Sequence, residues 1–300
     1  MSSNRIKSVA VVELIAGYQC NGTCVFCTAT RDQRRISMTT VEALSKLDAA
    51  QKKYKPGKVR FGGGEPTIRR DLPPLVRFAR SNGADKATVQ TNGFRFFYKE
   101  FVKRLIESGL TGANFSIRTD DASIYSSLTG VAEGCRWAWE GVENAAREGL
   151  SIEIDILLVK PVLPALLGMT RRLLDFGVMK VNYWFPSVEG GALGRAELIP
   201  SISESGEVLK TVFAAFPDAR LRAFYMPHCA LIGFEDHIWH PVTESTLVVT
   251  PGDEFMLEKG RVDIGVKAEE CRDCLAGESC FGVRDNYLKM FGSTGIAAIR

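Results

Sequence analysis

The chain has 300 residues, of which 45% are hydrophobic and 24% charged, and its formal net charge is +3. This composition is typical of a globular protein with a large core, and the small net charge argues against a nucleic-acid surface. The opening residues are polar and no apolar run is long enough to span a bilayer, which argues against a signal peptide and a membrane partner. We therefore expect a cytoplasmic protein whose eight cysteines are metal ligands or free thiols.

Strand-like and helix-like segments alternate over the first two thirds of the chain. Alternating apolar residues predict strands, and apolar residues three or four positions apart predict helices. The capping boxes Thr39-x-x-Glu42 and Ser201-x-x-Glu204 mark two helix starts, and Asp71 is expected to cap another. The predicted strands are 8–16, 58–61, 86–91, 113–118, 152–156 and 181–185.

Six βα units in sequence imply a parallel sheet with right-handed crossovers. Six is short of the eight that close a full barrel. We therefore predict an α/β fold, with a partial (β/α)6 barrel over residues 1–200. Residues 201–300 are expected to form a helix and a small C-terminal cluster-binding domain, with strand-like stretches at 245–250 and 261–266.

The first cysteine cluster, Cys20-x3-Cys24-x2-Cys27, directly follows the first predicted strand. Three thiolates in a short loop suit a [4Fe–4S] cluster, and the lack of a nearby fourth cysteine leaves one iron open to a small molecule. On spacing alone, a zinc loop with a distant fourth ligand is the alternative. Because the carboxyl ends of parallel strands share one rim, three other segments are expected beside this loop: 63–66, 91–93 and 116–118.

The CxxxCxxC loop with Phe26 before its last cysteine, together with Gly-Gly-Glu-Pro after the second strand, resembles the radical SAM superfamily over about residues 9–186. The resemblance implies that the three cysteines hold a [4Fe–4S] cluster and that S-adenosylmethionine (SAM) fills its open iron. Reduction would cleave SAM to a 5′-deoxyadenosyl radical, which removes a hydrogen atom from a substrate. The residues that the resemblance assigns to SAM are Phe26, Gly63, Gly64, Glu65, Pro66, Asn92, Ser116 and Arg118.

These assignments have a physical rationale. Glycines let the backbone approach a ligand that a Cβ would block. Glu65 suits a cationic ligand, and Arg118 suits a carboxylate through a bidentate pair. A plain turn at the glycines and a solvated strand end at Arg118 are the alternatives.

A second cysteine set consists of Cys229 and the run Cys271-x2-Cys274-x5-Cys280. The run resembles the SPASM/Twitch auxiliary-cluster extensions of radical SAM enzymes, but Arg284 stands where their next cysteine is expected. We therefore predict one auxiliary [4Fe–4S] cluster on these four thiolates. A structural zinc site, held by the four thiolates or by three of them with His228, is the alternative.

Three further residues have reactive side chains. Cys135 shares a helix face with Trp139 and Val142, which predicts a buried core thiol, with hydrogen-atom donation to a substrate radical as the alternative. His237 and His240 are acid–base candidates, although nothing in the sequence places them near a substrate.

The resemblance leads us to expect an enzyme that modifies a C–H bond, in an oxidative or related reaction, during peptide (RiPP) or natural-product maturation. Its partners would be a peptide or small-molecule substrate and a flavodoxin- or ferredoxin-type electron donor. Only residues 1–7 precede the first strand, which weakens the peptide hypothesis because a leader-recognition domain would need more chain. The alternatives are a non-catalytic iron–sulfur redox or sensor protein, and a radical SAM enzyme that acts on a small metabolite and has a structural zinc tail.

Overall fold

The structure is a computed structural model that describes residues 9–240, 244–257 and 265–300. One sheet contains ten strands in this part of the chain. The strands are β1 (Val11–Ile15), β2 (Lys58–Gly62), β3 (Lys86–Thr91), β4 (Gly112–Ile117), β5 (Ser151–Leu157), β6 (Lys180–Trp184), β7 (Leu221–Phe224), β8 (Ile238–Trp239), β9 (Thr246–Val249) and β10 (Glu254–Met256). The helices are α1 (Thr40–Tyr54), α2 (Leu72–Ser81), α3 (Lys99–Glu107), α4 (Ala122–Thr129), α5 (Gly134–Arg147), α6 (Leu166–Asp175), α7 (Ile202–Ala215) and α8 (Asp285–Phe291).

The strand order across the sheet is β10-β9-β1-β2-β3-β4-β5-β6-β7-β8. All neighbouring strands are parallel except β9 and β10, which are antiparallel. Within the described residues the edge strands β8 and β10 do not pair with each other, so the barrel is not closed. The predicted α/β fold with an open parallel barrel is therefore confirmed.

The C-terminal third of the chain contributes more to this sheet than the sequence indicated. Strands β7 and β8 extend the sheet beyond β6, and β9 pairs in parallel with β1, with Val11 opposite Thr246. The expected strand at 245–250 is present as β9, whereas most of the stretch 261–266 lies outside the described residues. The division of the chain at residue 200 stays a prediction.

The two faces of the curved sheet differ in polarity. On β5, Ile152, Ile154 and Ile156 are almost completely buried in the hydrophobic core. Glu153 and Asp155 point to the opposite face, because successive side chains alternate along a strand. The outer face therefore packs against helices, and the inner face is left with polar groups that can bind a ligand.

All three helices begin at the predicted cap residues. The Thr39–Glu42 and Ser201–Glu204 capping boxes form with both reciprocal hydrogen bonds. Asp71 is the N-cap residue of α2, as predicted, but its side chain makes no capping hydrogen bond. Its carboxylate accepts hydrogen bonds from Arg69 and Thr40 instead, because a guanidinium is the stronger donor. No helix among the described residues is long and apolar enough to cross a bilayer.

The capping box of α7 yields a stability prediction. Ser201→Ala removes the acceptor for the Glu204 N–H, 3.1 Å from the serine hydroxyl, and should lower the free energy of unfolding by about 1 kcal/mol. Thr211→Ala on the same helix is the matched control, because that exposed hydroxyl bonds only to a carbonyl of its own helix. It should change stability by less than about 0.5 kcal/mol. Urea unfolding measures both, and equal losses would contradict a specific role of the cap.

Candidate active site

An open cavity of about 400 Å³ lies at the carboxyl ends of strands β2 to β6. Ligand sites of parallel sheets are expected at this edge. All the residues predicted for the cluster and SAM line the cavity except Pro66, which is buried and begins a short 3-10 helix. The predicted residues that it brings together are Cys20, Cys24, Phe26, Cys27, Gly63, Gly64, Glu65, Asn92, Ser116 and Arg118.

The glycines after β2 are required by contact with the cysteine loop. Gly63 has a φ of +116°, and a Cβ there would collide with the carbonyl oxygen of Gly17. A Cβ on Gly64 would collide with the carbonyl oxygen of Gln19. The two segments are also hydrogen-bonded, because Gly64 N donates to Gly17 O over 3.1 Å and Glu65 N to Gln19 O over 2.8 Å. With these N–H groups in use, the glycine segment can offer a ligand carbonyl oxygens, which are the acceptors that an ammonium group needs.

Glu65 joins this segment to the end of β3. Its side chain is only 2% exposed and accepts hydrogen bonds from Thr67 Oγ1 at 2.6 Å, Thr91 Oγ1 at 2.8 Å and Asn92 N at 2.7 Å. Burial raises the pKa of the Glu65 carboxyl, and these hydrogen bonds oppose that shift. The side chain thus holds two loops together, and its predicted direct contact with a cationic ligand stays a prediction.

Further hydrogen bonds hold the cysteine loop in position. Asn92 Nδ2 donates to Asn21 Oδ1 over 2.7 Å, and Arg34 Nη1 donates to the Gly22 carbonyl over 2.9 Å. At the base of the loop, Arg69 Nη1 donates to the Ala16 carbonyl over 3.1 Å. The loop is therefore anchored by elements distant in sequence, and its cysteines do not depend on local turns alone.

The first cysteine set has the chemistry of a cluster site. An ideal Cβ on Gly22 would lie 3.9 Å from the Sγ atoms of both Cys20 and Cys24, so these sulfurs flank a residue without a side chain. Gly22 N donates to Cys20 Sγ over 3.4 Å, the kind of bond that thiolate ligands of iron–sulfur clusters accept. Burial raises the pKa of the Cys20 thiol to about 11, so its binding to iron would release a proton.

Arg118 and Phe26 form a pair beside the cysteines. The guanidinium carbon of Arg118 lies 4.8 Å from the centroid of the Phe26 ring. This cation–π contact fixes the guanidinium beside the ring, and a guanidinium carries N–H groups that suit a carboxylate. Arg118 thus lies at the cavity wall beside Phe26, and its role in binding a carboxylate stays a prediction.

The cavity has a second group of lining residues that sequence reasoning missed. They lie near or just after the carboxyl ends of strands β3, β5 and β6, or in the C-terminal region. They include Gln90, Asp155, Leu157, Trp184, Phe185, Ser187 and Arg284.

Asp155 is the most unusual of the missed residues. It is only 6% exposed and accepts hydrogen bonds from three neutral amides, Asn182 and Asn114 at 2.9 Å and Gln90 at 3.3 Å. Burial raises the pKa of its carboxyl. The sequence signal is an acidic residue between Ile154 and Ile156, but such alternation by itself indicates only a strand.

The second cysteine set also comes together. Cys229, Cys271, Cys274 and Cys280 line one small cavity, which His228 also borders. Backbone N–H groups point at two of the sulfurs, since Gly282 N lies 3.3 Å from Cys280 Sγ and Ile299 N lies 3.3 Å from Cys274 Sγ. In the described part of the chain, no three His, Cys, Asp or Glu side chains are arranged to hold a single metal ion.

The other reactive side chains lie away from the main cavity. Cys135 is buried, with its Sγ 3.7 Å from the Thr119 carbonyl oxygen, as its helix position predicts. His237 stacks on Phe213 at a centroid distance of 4.1 Å, and buried His240 stacks on Phe281 at the same distance. None of the three lines the cavity beside the first cysteine set.

The sequence model of the radical SAM superfamily matches residues 14–170, more than half of the chain. The chain belongs to the radical SAM superfamily. Membership implies a [4Fe–4S] cluster, SAM, a substrate and an electron donor, whereas the auxiliary-cluster extension is not established by this match.

Two curated relatives are similar to part of the chain. The probable GTP 3′,8-cyclase of Sulfolobus acidocaldarius is 31% identical over 133 residues, which cover 44% of this chain and 42% of the relative. The GTP 3′,8-cyclase of Chlorobaculum tepidum is 29% identical over 176 residues, which cover 55% of this chain and 51% of the relative. The chain thus spans about half the length of the curated relatives it matches.

Solved structures share the fold at lower identity. Streptococcus suis SuiB bound to S-adenosylmethionine has a TM-score of 0.69 and 14% identity, over 97% of this chain and 76% of SuiB. SuiB bound to the precursor peptide SuiA has a TM-score of 0.67 and 15% identity, over 82% and 59% of the two chains. Native anSMEcpe with bound AdoMet has a TM-score of 0.56 and 15% identity, over 71% of this chain and 64% of anSMEcpe.

The contact between the glycine segment and the cysteine loop can be tested. Gly64→Ala places a methyl group against the Gln19 carbonyl, so the loop must shift, at a cost of about 1–3 kcal/mol. We expect a lower free energy of unfolding and loss of roughly half of the bound iron after anaerobic reconstitution. Gly168→Ala is the control, because nothing lies within 4 Å of its Cβ position in α6, and it should stabilise the protein by about 0.5–1 kcal/mol. Unchanged iron in Gly64→Ala would contradict the packing argument.

Proposed function

We propose that this protein is a radical SAM enzyme that holds a [4Fe–4S] cluster on Cys20, Cys24 and Cys27 and removes a hydrogen atom from a substrate bound in the same cavity. The observation that carries the proposal is the shared cavity, in which the three cysteines meet the glycine segment after β2 and the ends of β3 to β6. When bound and reduced by an external donor, the cluster would give one electron to the sulfonium of SAM, and cleavage of its C–S bond would supply methionine and the 5′-deoxyadenosyl radical.

The chain's own residues would bind and orient SAM. The carbonyl groups of Gly63 and Gly64 suit the methionyl ammonium, because carbonyl oxygens accept its hydrogen bonds. The N–H edge of Arg118 suits a carboxylate, and Phe26 provides an apolar surface for a flat base. Glu65 and Asn92 act as positioning residues, which hold the glycine segment, β3 and the cysteine loop together.

The far side of the cavity would hold the substrate. Trp184 borders it and stacks on Phe224 with a centroid distance of 4.2 Å and an interplanar angle of 8°, which gives a rigid aromatic wall. Such a wall excludes water from a reactive site. Asp155 offers carboxylate oxygens that a hydroxyl, amide or ammonium group of the substrate can approach from the cavity.

We infer that the second cysteine set binds an auxiliary [4Fe–4S] cluster. Four thiolates suffice for one, and the backbone N–H groups aimed at Cys274 and Cys280 favour charged sulfur ligands. An auxiliary cluster is compatible with an oxidative modification of a C–H bond in peptide or natural-product maturation, our first candidate reaction. The fold shared with SuiB, which has been solved with its precursor peptide, is compatible with that candidate.

A small metabolite is the second candidate substrate. The curated relatives are named GTP 3′,8-cyclase, so the corresponding reaction would be a radical transformation of a nucleotide. The alignments leave about half of each relative unmatched, so they do not assign substrate-binding residues to this chain.

The cluster assignment predicts how cysteine variants behave. Wild-type enzyme, reconstituted anaerobically and reduced with dithionite, should convert SAM to 5′-deoxyadenosine, and Cys24→Ala should reduce this rate by at least a factor of about 10³ while keeping about four of about eight irons. Cys135→Ala is the matched control and should keep both rate and iron, because Cys135 lies in the core away from the cavity. No 5′-deoxyadenosine from wild-type enzyme would refute the proposed function. About four irons with one zinc would replace the auxiliary cluster by a structural zinc site.

The two substrate candidates predict different products. With a precursor peptide as substrate, the product should be the same peptide with fewer hydrogen atoms. With GTP as substrate, the nucleotide itself should be converted. Transfer of deuterium from a labelled substrate into 5′-deoxyadenosine, read by mass spectrometry, reports abstraction in either case. Turnover of GTP without turnover of peptides would overturn the first candidate.

A further inference from the structure

A basic segment follows the first cysteine set directly in the chain. Residues 30–36 contain three arginines and one aspartate. Arg34 holds this segment to the cysteine loop, because its Nη1 donates to the Gly22 carbonyl over 2.9 Å. The positive charge therefore lies beside the first cysteine set in space as well as in sequence.

The other two arginines of the segment place their charge in solvent. The Arg35 side chain is 85% exposed, and it lies 4.0 Å from an Asp32 carboxylate that is equally exposed, so this ion pair contributes little to stability. Arg31 is exposed, and within the described part of the chain no hydrogen bond or ion pair holds its guanidinium. The fold thus makes little use of either charge, and both can meet a partner.

Large apolar side chains are exposed around the same loop. Ile36, at the end of the basic segment, is 45% exposed, and its carbonyl accepts a hydrogen bond of 3.0 Å from Tyr18 N. Leu193 is 60% exposed in a segment that also contacts the loop, because Gly191 N donates to the Cys27 carbonyl over 2.9 Å. An arginine-rich surface with apolar side chains is typical of a protein–protein interface.

The cysteine loop is also where an electron must enter. Its three cysteines are only half-buried, so a carrier that sits on the neighbouring surface comes close to them. A basic surface attracts an acidic partner and disfavours a basic one. We propose that the surface formed by Arg31, Arg35 and Ile36 docks an acidic electron-carrier protein. The carrier would be oxidised by one electron and the cluster on the three cysteines reduced by one, with no bond made or broken. This inference rests on the proposed function, which assigns a cluster to these cysteines.

The test is anaerobic calorimetry of the reconstituted protein with a flavodoxin of net negative charge. Wild-type protein should bind it, with an affinity that falls as added salt screens the charges. Arg31→Gln combined with Arg35→Gln should weaken binding by about fivefold or more, because two charged contacts are lost. Arg31→Glu should weaken binding more than Arg31→Gln, because it places a like charge against the partner.

The same variants separate docking from catalysis. With reduced flavodoxin as the limiting donor, the double variant should form 5′-deoxyadenosine more slowly than the wild type. With excess dithionite the two rates should be equal, because a small reductant needs no docking surface. No 5′-deoxyadenosine from the wild type with dithionite would refute the proposed function, whereas flavodoxin binding would still report on the surface.

Arg147→Gln is the matched control. Arg147 is exposed and paired with Glu143 at the end of α5, which leads into β5, so it lies at the opposite edge of the sheet from the cysteine loop. It should leave flavodoxin binding unchanged. Equal affinities of the wild type and the double variant, an equal loss in Arg147→Gln, or no binding of flavodoxin to the wild type would overturn the inference. Iron content and circular dichroism verify folding, and Arg31→Gln alone decides the matter if the double variant does not fold.

Discussion

The site depends on one backbone-to-backbone contact, in which Gly63 and Gly64 lie against the carbonyls of Gly17 and Gln19. This contact joins the end of β2 to the loop that carries the first cysteines, and any side chain in the interface would separate them. Glu65 continues the connection to β3 through the Asn92 N–H. The three strand ends therefore form one rigid rim, which is the kind of preorganisation that a reactive site needs.

The second constraint is the polarity of the inner face of the sheet. Outside, apolar residues such as Ile154 pack into the core; inside, Asp155 is surrounded by the amides of Gln90, Asn114 and Asn182. Burial of a carboxyl among neutral donors is costly unless its hydrogen bonds are satisfied, so the three amides must stay in place around Asp155 for the sheet to be stable. The same curvature that gives the sheet its inner face brings the strand ends and the C-terminal Arg284 to one cavity.

Much of this arrangement could be predicted from sequence because its signals are local. Strand alternation, the capping boxes and the cysteine spacing each depend on a few neighbouring residues, and the strand ends then follow from the shared rim of a parallel sheet. The contacts that were missed are between distant segments: Asp155 with Asn182, Arg69 with Ala16, and Arg284 with Tyr225. Asp71 shows the same limit through Thr40, a hydrogen-bond donor on α1 that is distant in sequence, whereas its other partner, Arg69, is a near neighbour in the chain. Pairing between β1 and β9 could not be deduced, because no local pattern encodes a partner more than 200 residues away.

That pairing has a consequence for how the chain is made. Among the strands of the described sheet β1 is synthesised first, yet one of its two neighbours, β9, is synthesised next to last. Until β9 arrives, β1 has an open hydrogen-bonding edge, with Val12 and Leu14 of the future core beside it. An exposed edge of this kind pairs readily with other chains, so the nascent protein is most vulnerable to aggregation during the long interval between the two strands. Contacts of such large sequence separation also slow folding, which lengthens that interval further.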